Sequence, residues 1–176
     1  MKNSVALIGF MGAGKSAVAQ LLAERLGKKL VETDDLIVNK AGKSIAGIFA
    51  DDGEATFRQL EMDVAKKIAG NDNQVIACGG GIILNSINID SLKQKAVIVY
   101  LAASPEAILK RVSADDTIRP LLAGEDKKGV IIKLLEFRLP LYQKAADIII
   151  DTSALDAAGA TEAIIDRLRE YEGFNL

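Results

Sequence analysis

The chain has 176 residues, with 49% hydrophobic and 26% charged side chains, the balance of one globular domain large enough to bury a core. A net charge of −2 and a pI near 5.3 lack the basic excess of a general nucleic-acid binder. No apolar run is long enough to span a membrane. With no histidine and a single cysteine, Cys78, imidazole-based acid–base or zinc chemistry and an intramolecular disulfide are both excluded.

In chain order, Ser4–Ile8 is an apolar run that reads as a buried strand. No basic-then-apolar leader pattern precedes it, so a reducing, cytoplasmic location is expected. Gly9-Phe-Met-Gly-Ala-Gly-Lys-Ser16 follows and satisfies G-x-x-x-x-G-K-[ST]. The next segment is helical, with Val18, Leu21, Leu22 and Leu26 on one face and Gly27 as C-terminal cap. Strand, glycine loop and helix is the setting in which this motif cradles a polyphosphate on backbone N–H groups at the positive end of a helix. Gly12, Ala13, Gly14, Lys15, Ser16 and Ala17 are therefore nucleotide-binding candidates. Lys15 would reach the β- and γ-phosphates, and the Ser16 hydroxyl would bind Mg²⁺. ATP and Mg²⁺ are the expected co-substrate and cofactor.

Lys29–Val31 reads as a second strand ending in Glu32-Thr-Asp-Asp35. Continued alternation would point Glu32 and Asp34 to the same side, at the strand end where parallel α/β sheets bind ligands. Short helices are expected up to Gly42 and from the Ser44 cap to about Ala50. A longer one runs from Glu54 to Ala69, with Phe57, Leu60, Val64 and Ile68 on one stripe and Glu61 one step from Arg58. Gln74–Cys78 is a third strand, running into Gly79-Gly80-Gly81. Three glycines in a row cost backbone entropy and suit a place where a ligand approaches the main chain. At the end of an apolar strand, Cys78 is expected to be an inert buried thiol.

Ala96–Leu101 is a fourth strand. Ser104-Pro105-Glu106 then opens a helix that passes Arg111 and stops near Ser113. Residues 114–128 form a polar insertion holding Arg119. A helix from Gly129 to Tyr142, interrupted by Pro140, carries Arg138. Asp147–Ile150 is the fifth strand and Asp156–Tyr171 the last helix. The tail 172–176 suggests no role. Apolar strands alternating with helices predict a three-layer α/β domain around a five-stranded parallel sheet.

The ordered series of motifs resembles the shikimate kinase family over nearly the whole chain. It runs G-F-M-G-A-G-K-S at 9, E-T-D at 32, S-I-A-G-I-F at 44 and G-E-A-T-F-R-Q-L-E at 53. It continues with C-G-G-G at 78, T-I-R-P-L-L-A-G at 117 and R-L-P-L-Y at 138. The resemblance implies a P-loop kinase fold, like that of nucleoside monophosphate kinases. The whole chain, 1–176, would be one such domain, with a substrate-binding region at about 32–61 and a lid at about 114–128 that closes over the nucleotide. It implies ATP-dependent phosphorylation of a shikimate hydroxyl to shikimate 3-phosphate and ADP, in aromatic amino-acid (chorismate) biosynthesis.

Residue by residue, the resemblance assigns shikimate to Asp34, Arg58, Gly79, Gly80, Gly81 and Arg138, with the two arginines on its carboxylate. Asp34 would be the base, and Lys15 and Arg119 would stabilise the transferring phosphoryl group. Arg111, with Arg119, would contact the nucleotide, and Phe49 and Phe57 would wall the ring pocket. The family's usual D-x-D is Glu32-Thr33-Asp34 here, so Glu32 would hold Mg²⁺, through water. Its familiar threonine after the loop serine is Ala17. The rivals are a gluconate-type or nucleoside monophosphate kinase, and a non-catalytic ATP-binding module. One lid arginine counts against the nucleotide kinase, and an intact Lys15, Ser16, Asp34 and Arg119 against the module. Shikimate and ATP are the expected partners, without nucleic acid or membrane. A monomer is expected, although nothing in the sequence sets the oligomeric state.

Overall fold

The computed structural model describes residues 1–114 and 126–175. Most of the expected lid, including Arg119, lies outside the described residues. The sheet is β1 (Ser4–Ile8), β2 (Lys29–Glu32), β3 (Gln74–Ala77), β4 (Ala96–Ala102) and β5 (Ile148–Asp151). Every pairing is parallel and the strand order is β2-β3-β1-β4-β5. The helices are α1 (Lys15–Leu26), α2 (Thr33–Ala41), α3 (Ile45–Asp51), α4 (Gly53–Ala69), α5 (Ser86–Lys93), α6 (Pro105–Ser113), α7 (Lys127–Ala145) and α8 (Ala157–Glu170).

The period-2 alternation of β1 shows why helices cover both faces. Val5 and Leu7 join one buried cluster with Val18, Leu22, Ile164 and Leu168 of α1 and α8. Ala6 and Ile8 join another with Ile48, Phe57, Val64, Ile131 and Tyr142 of α3, α4 and α7. A central strand buried on both sides must be apolar at every position, as this one nearly is. On α1 the buried face is Val18, Ala19, Leu22 and Ala23, with Leu21 only half-buried. The expected leucine stripe thus gives way to two alanines. Ser44 and Ser104 cap their helices by accepting from Gly47 N and Ala107 N, and Gly27 takes the left-handed conformation that ends α1.

Strands β3, β4 and β5 end within one residue of expectation; larger differences lie elsewhere. β2 ends at Glu32 and Thr33 already begins α2, so Asp34 sits on a helical first turn rather than alternating along a strand. Acidic residues there meet the positive end of the helix, which favours the early start. Helix α5 and the short 3-10 turn Ile82–Leu84 were not anticipated. Their polar, β-branched sequence carries little helical signal, and Asn85 caps α5 by accepting from Ile87 N at 3.0 Å. Helix α7 starts at Lys127, where Asp126 caps it. It also runs on through Pro140 to Ala145. The carbonyl that Pro140 cannot serve belongs to Glu136, and both residues are exposed, so water can satisfy it.

At the end of the sheet where β1 begins, the tail has a structural part. Lys2 N donates to Gly173 O and Asn175 N to Lys2 O, both at 2.8 Å. Lys28, only 8% exposed, donates to Asn175 O and places its ammonium 5.4 Å from the Phe174 ring centroid. Burial lowers the pKa of this lysine from its ordinary value.

Candidate active site

The loops at the opposite end, where β1, β2 and β3 finish, form a cleft of about 580 Å³. The phosphate loop builds one wall. Gly14 has φ 90°, and nothing lies within 4 Å of where its Cβ would be. Glycine is needed there for conformation rather than for space. Gly12 needs it for both, with φ 76° and Val112 Cγ2 only 2.8 Å from that point. Lys15 Nζ donates to Gly9 O and Phe10 O, each at 2.9 Å. Of the expected nucleotide set, Gly12, Gly14, Lys15, Ser16, Ala17 and Arg111 all line the cleft.

Ala13 is buried and faces a smaller adjoining hollow of about 110 Å³, shared with Arg111, Thr152 and Leu155. Arg111 spans the two spaces. It donates to Ala13 O at 3.4 Å, to Thr152 Oγ1 at 3.2 Å, and to the Thr152 and Leu155 carbonyls. Thr152 and Leu155 were not singled out in the sequence. They follow β5, whose end faces the same side as the other strand ends, and that topology was the available signal.

Glu32 and Asp34 both line the cleft, although they reach it from a strand end and from a helix rather than along one strand. Ser16 Oγ donates to Glu32 Oε2 at 3.3 Å. Burial raises the Glu32 carboxyl from its ordinary range and the Ser16 bond partly offsets this. Asp34 is raised too, first by burial, with Lys15 pulling it back. Among the described residues no three His, Cys, Asp or Glu side chains converge as a metal cage. One or two carboxylates, a serine hydroxyl and nucleotide phosphates form an oxygen donor set of the sort Mg²⁺ takes.

The glycine triplet is tight for a reason within the protein itself. A Cβ on Gly79 would lie 2.8 Å from Asp34 Oδ1 and 3.3 Å from Glu61 Oε1. One on Gly81 would overlap the Arg58 guanidinium. These glycines make room for the site's own charged side chains. The Gly79 amide is also committed, donating to Thr33 Oγ1 at 2.8 Å. Cys78, next to the triplet, is fully buried and its thiol is pushed far up by burial, as suits an inert thiol.

Arg58 pairs with Glu61 through Nη1 at 3.0 Å and with the exposed Glu54 through Nη2 at 3.0 Å. The sequence spacing foretold the Glu61 contact; the burial of Glu61 to 2% exposure on an otherwise apolar stripe it did not. Arg138 is 4% exposed, with its guanidinium 5.8 Å from the Phe10 ring centroid. Among the described residues four side-chain polar atoms are buried without a hydrogen-bond partner: Asn88 Oδ1 and, close to one another, Asp34 Oδ1, Glu61 Oε1 and Arg138 Nε. Three such atoms in one neighbourhood are what a site shaped for a polar ligand leaves behind. Phe49 and Phe57 stack tilted at 4.8 Å and pack on the core.

Arg58, Glu61, Gly81 and Arg138 are not among the residues that line the cleft itself. A phosphate loop on the central strand of a parallel α/β sheet, sharing one cleft with Glu32 and Asp34, defines a P-loop kinase. A family model described as shikimate kinase matches residues 11–169. A shikimate kinase from Dehalococcoides mccartyi is 46% identical over 171 residues, covering 97% of this chain and 96% of that one. The structure of an Acinetobacter baumannii shikimate kinase in complex with shikimate superposes with a TM-score of 0.92 at 34% identity. It covers 98% of this chain and 96% of that one. A Sinorhizobium meliloti gluconokinase shares the fold alone, with a TM-score of 0.60 at 18% identity over 96% of this chain and 94% of that one. The chain belongs to the shikimate kinase family.

Proposed function

We propose that the chain transfers the γ-phosphoryl group of ATP to a hydroxyl of shikimate, yielding shikimate 3-phosphate and ADP in the route to chorismate. The observation that carries this reading is the unpartnered buried trio of Asp34, Glu61 and Arg138 atoms, of which Asp34 shares the cleft with the phosphate loop. A small polyol bearing one carboxylate supplies both an anion for guanidinium groups and hydroxyls for carboxylates. Arg58 and Arg138 take the carboxylate, a task for which a planar guanidinium is suited. Gly79, Gly80 and Gly81 shape the wall against the ring.

Asp34 accepts the proton as the substrate oxygen attacks the γ-phosphorus. The new P–O bond forms, the bond to the β–γ bridging oxygen breaks, and ADP leaves. A carboxyl raised by burial is a stronger base than a solvated one, and positioned bases contribute about 10²- to 10⁴-fold. Lys15 lies on the phosphate side and, with Arg119, stabilises the charge on the transferring group. Ser16 and Glu32 would hold Mg²⁺, Glu32 through water, and the bound ion would supply charge neutralisation at the β- and γ-phosphates. Arg111, tied to the phosphate loop and the β5 end, orders the nucleotide's hollow.

The enzyme acts in the cytoplasm as a monomer, without nucleic acid or membrane. An acidic pI lacks the basic excess of a nucleic-acid binder, and among the described residues no helix is long and apolar enough to cross a membrane. The test is ADP release from Mg·ATP with shikimate, gluconate and nucleoside monophosphates in parallel. Turnover with shikimate alone is expected. Turnover with gluconate or a nucleotide instead would overturn the acceptor assignment, and tight ATP binding without any turnover would make the chain a binding module.

A further inference from the structure

Tyr142 has no part in the chemistry described so far, yet it is the largest side chain in the fold with no exposed surface. Its hydroxyl donates to Gly80 O at 2.5 Å. Its ring lies parallel to that of Tyr100 on β4, centroids 4.9 Å apart and planes 7° from each other. The stack fixes where the hydroxyl stands, and the hydroxyl fixes the Gly80 carbonyl. Because a trans peptide is planar, the N–H of the same peptide, that of Gly81, is turned away from α7. On its other side Gly80 abuts the phosphate loop. A Cβ there would lie 3.4 Å from Met11 N and 3.5 Å from Gly9 O. The glycine loop is thus held between the phosphate loop and one phenol.

Arg138 stands one helical turn before Tyr142 on α7, so the two buried side chains share one face of that helix. Burial keeps that phenol protonated far above its usual range. Its single proton goes to Gly80, so toward any other group the oxygen can only accept. The residue that anchors the loop walling the ring therefore stands one turn from the arginine assigned to the carboxylate.

We infer that Tyr142 is a positioning residue for the acceptor, holding the Gly79–Gly81 turn through its hydroxyl beside Arg138. This rests on the shikimate reading above. The discriminating variant is Tyr142→Phe, which keeps the ring stack and removes only the link. The KM for shikimate is expected to rise about tenfold, the loss that goes with one buried hydrogen bond in a charged setting. The KM for ATP should stay within twofold and kcat within threefold. Calorimetric affinity of the nucleotide-free enzyme for shikimate should fall by the same factor as KM rises. Combined with Arg138→Lys, the two losses should be less than multiplicative, as for residues acting through one another.

A residue needed only for packing behaves otherwise. Ile165→Val, in the opposite helical layer, should lower the thermal midpoint and leave both KM values alone. If Tyr142→Phe does the same, or if its effect multiplies fully with that of Arg138→Lys, the inference is wrong. Failure of the wild type to turn over shikimate in these assays would instead refute the functional reading beneath it.

Discussion

Gly81→Ala isolates the role of Arg58 with little disturbance elsewhere. Gly81 has φ −96° and ψ 1°, which alanine tolerates, so no backbone strain is introduced. The added methyl falls where the Arg58 guanidinium now sits, and a flexible side chain yields before the backbone does. Arg58 must swing out, breaking its 3.0 Å pair with Glu61. That pair joins a side chain 2% exposed to one 21% exposed. Breaking a fully buried pair costs about 3–5 kcal/mol. Partial exposure and the surviving Glu54 contact reduce this to about 2 kcal/mol. Replacing glycine returns about 0.4–1 kcal/mol through the unfolded chain. The net loss is about 1 kcal/mol, or roughly 2–4 °C of midpoint in a domain of this size.

Acceptor binding should suffer far more. A charge-assisted contact to the carboxylate is worth about 1.5–3 kcal/mol, so the KM for shikimate should rise about 10- to 100-fold. The assay is steady-state ADP release against shikimate at saturating ATP, run beside thermal unfolding. Gly70→Ala is the control, since its Cβ would meet only Lys67 O at an ordinary 3.7 Å. A Gly81→Ala enzyme with the wild-type KM for shikimate would refute the reasoning. Either Arg58 does not grip the acceptor, or the space it occupies is not the one this glycine leaves open.

Glu32→Asp should remain active, whereas Glu32→Ala should lose activity that high Mg²⁺ partly restores; an alanine variant equally active at every Mg²⁺ concentration removes the metal role. Asp34→Asn should lower kcat by about 10²- to 10⁴-fold. Because burial raises the Asp34 carboxyl, the acid limb of the wild-type kcat/KM profile should fall above the ordinary aspartate value of about 3.9. The same shift makes the folded state bind a proton more tightly than the unfolded chain. Stability should therefore decline as pH rises through that window, and the Asn variant should lose that slope in denaturant titrations. Phe174→Ala should cost about 1–2 kcal/mol by removing the Lys28 contact and some packing. It should leave both KM values unchanged, since the tail lies at the sheet end away from the cleft; altered kinetics would contradict that separation.

Much of this was legible in the sequence because it rests on local signals. The phosphate loop, the serine caps and the apolar strands each carry their own short-range chemistry, and they appear where the spacing puts them. Glu32 and Asp34 reach the same cleft, but the reasoning through strand alternation was wrong, since the helix begins one residue after Glu32. What stayed hidden depends on long-range packing. That Glu61 would be buried, and that the glycine triplet would make room for Asp34 and Arg58, follows only once α4 is laid across the end of β3. The same holds for Thr152 and Leu155, which lie about forty residues from the Arg111 they hold. Tyr142 was visible in a recognised motif, one turn from Arg138, without a partner to suggest its use.

The strand order has a consequence for how such enzymes change. Adjacent strands lie about 4.8 Å apart, so β1, which leads into the phosphate loop, and β2, which ends at Glu32, have one strand, β3, between them and axes about 10 Å apart. That gap is set by the backbone ladder and not by any side chain. On the roles proposed here, the acceptor is held by α4 and α7 on one face, while the loop that binds phosphate leads into α1 on the other. Substitutions drifting through the first layer can present a different acceptor to the same γ-phosphate without moving the ladder that fixes the distance between them.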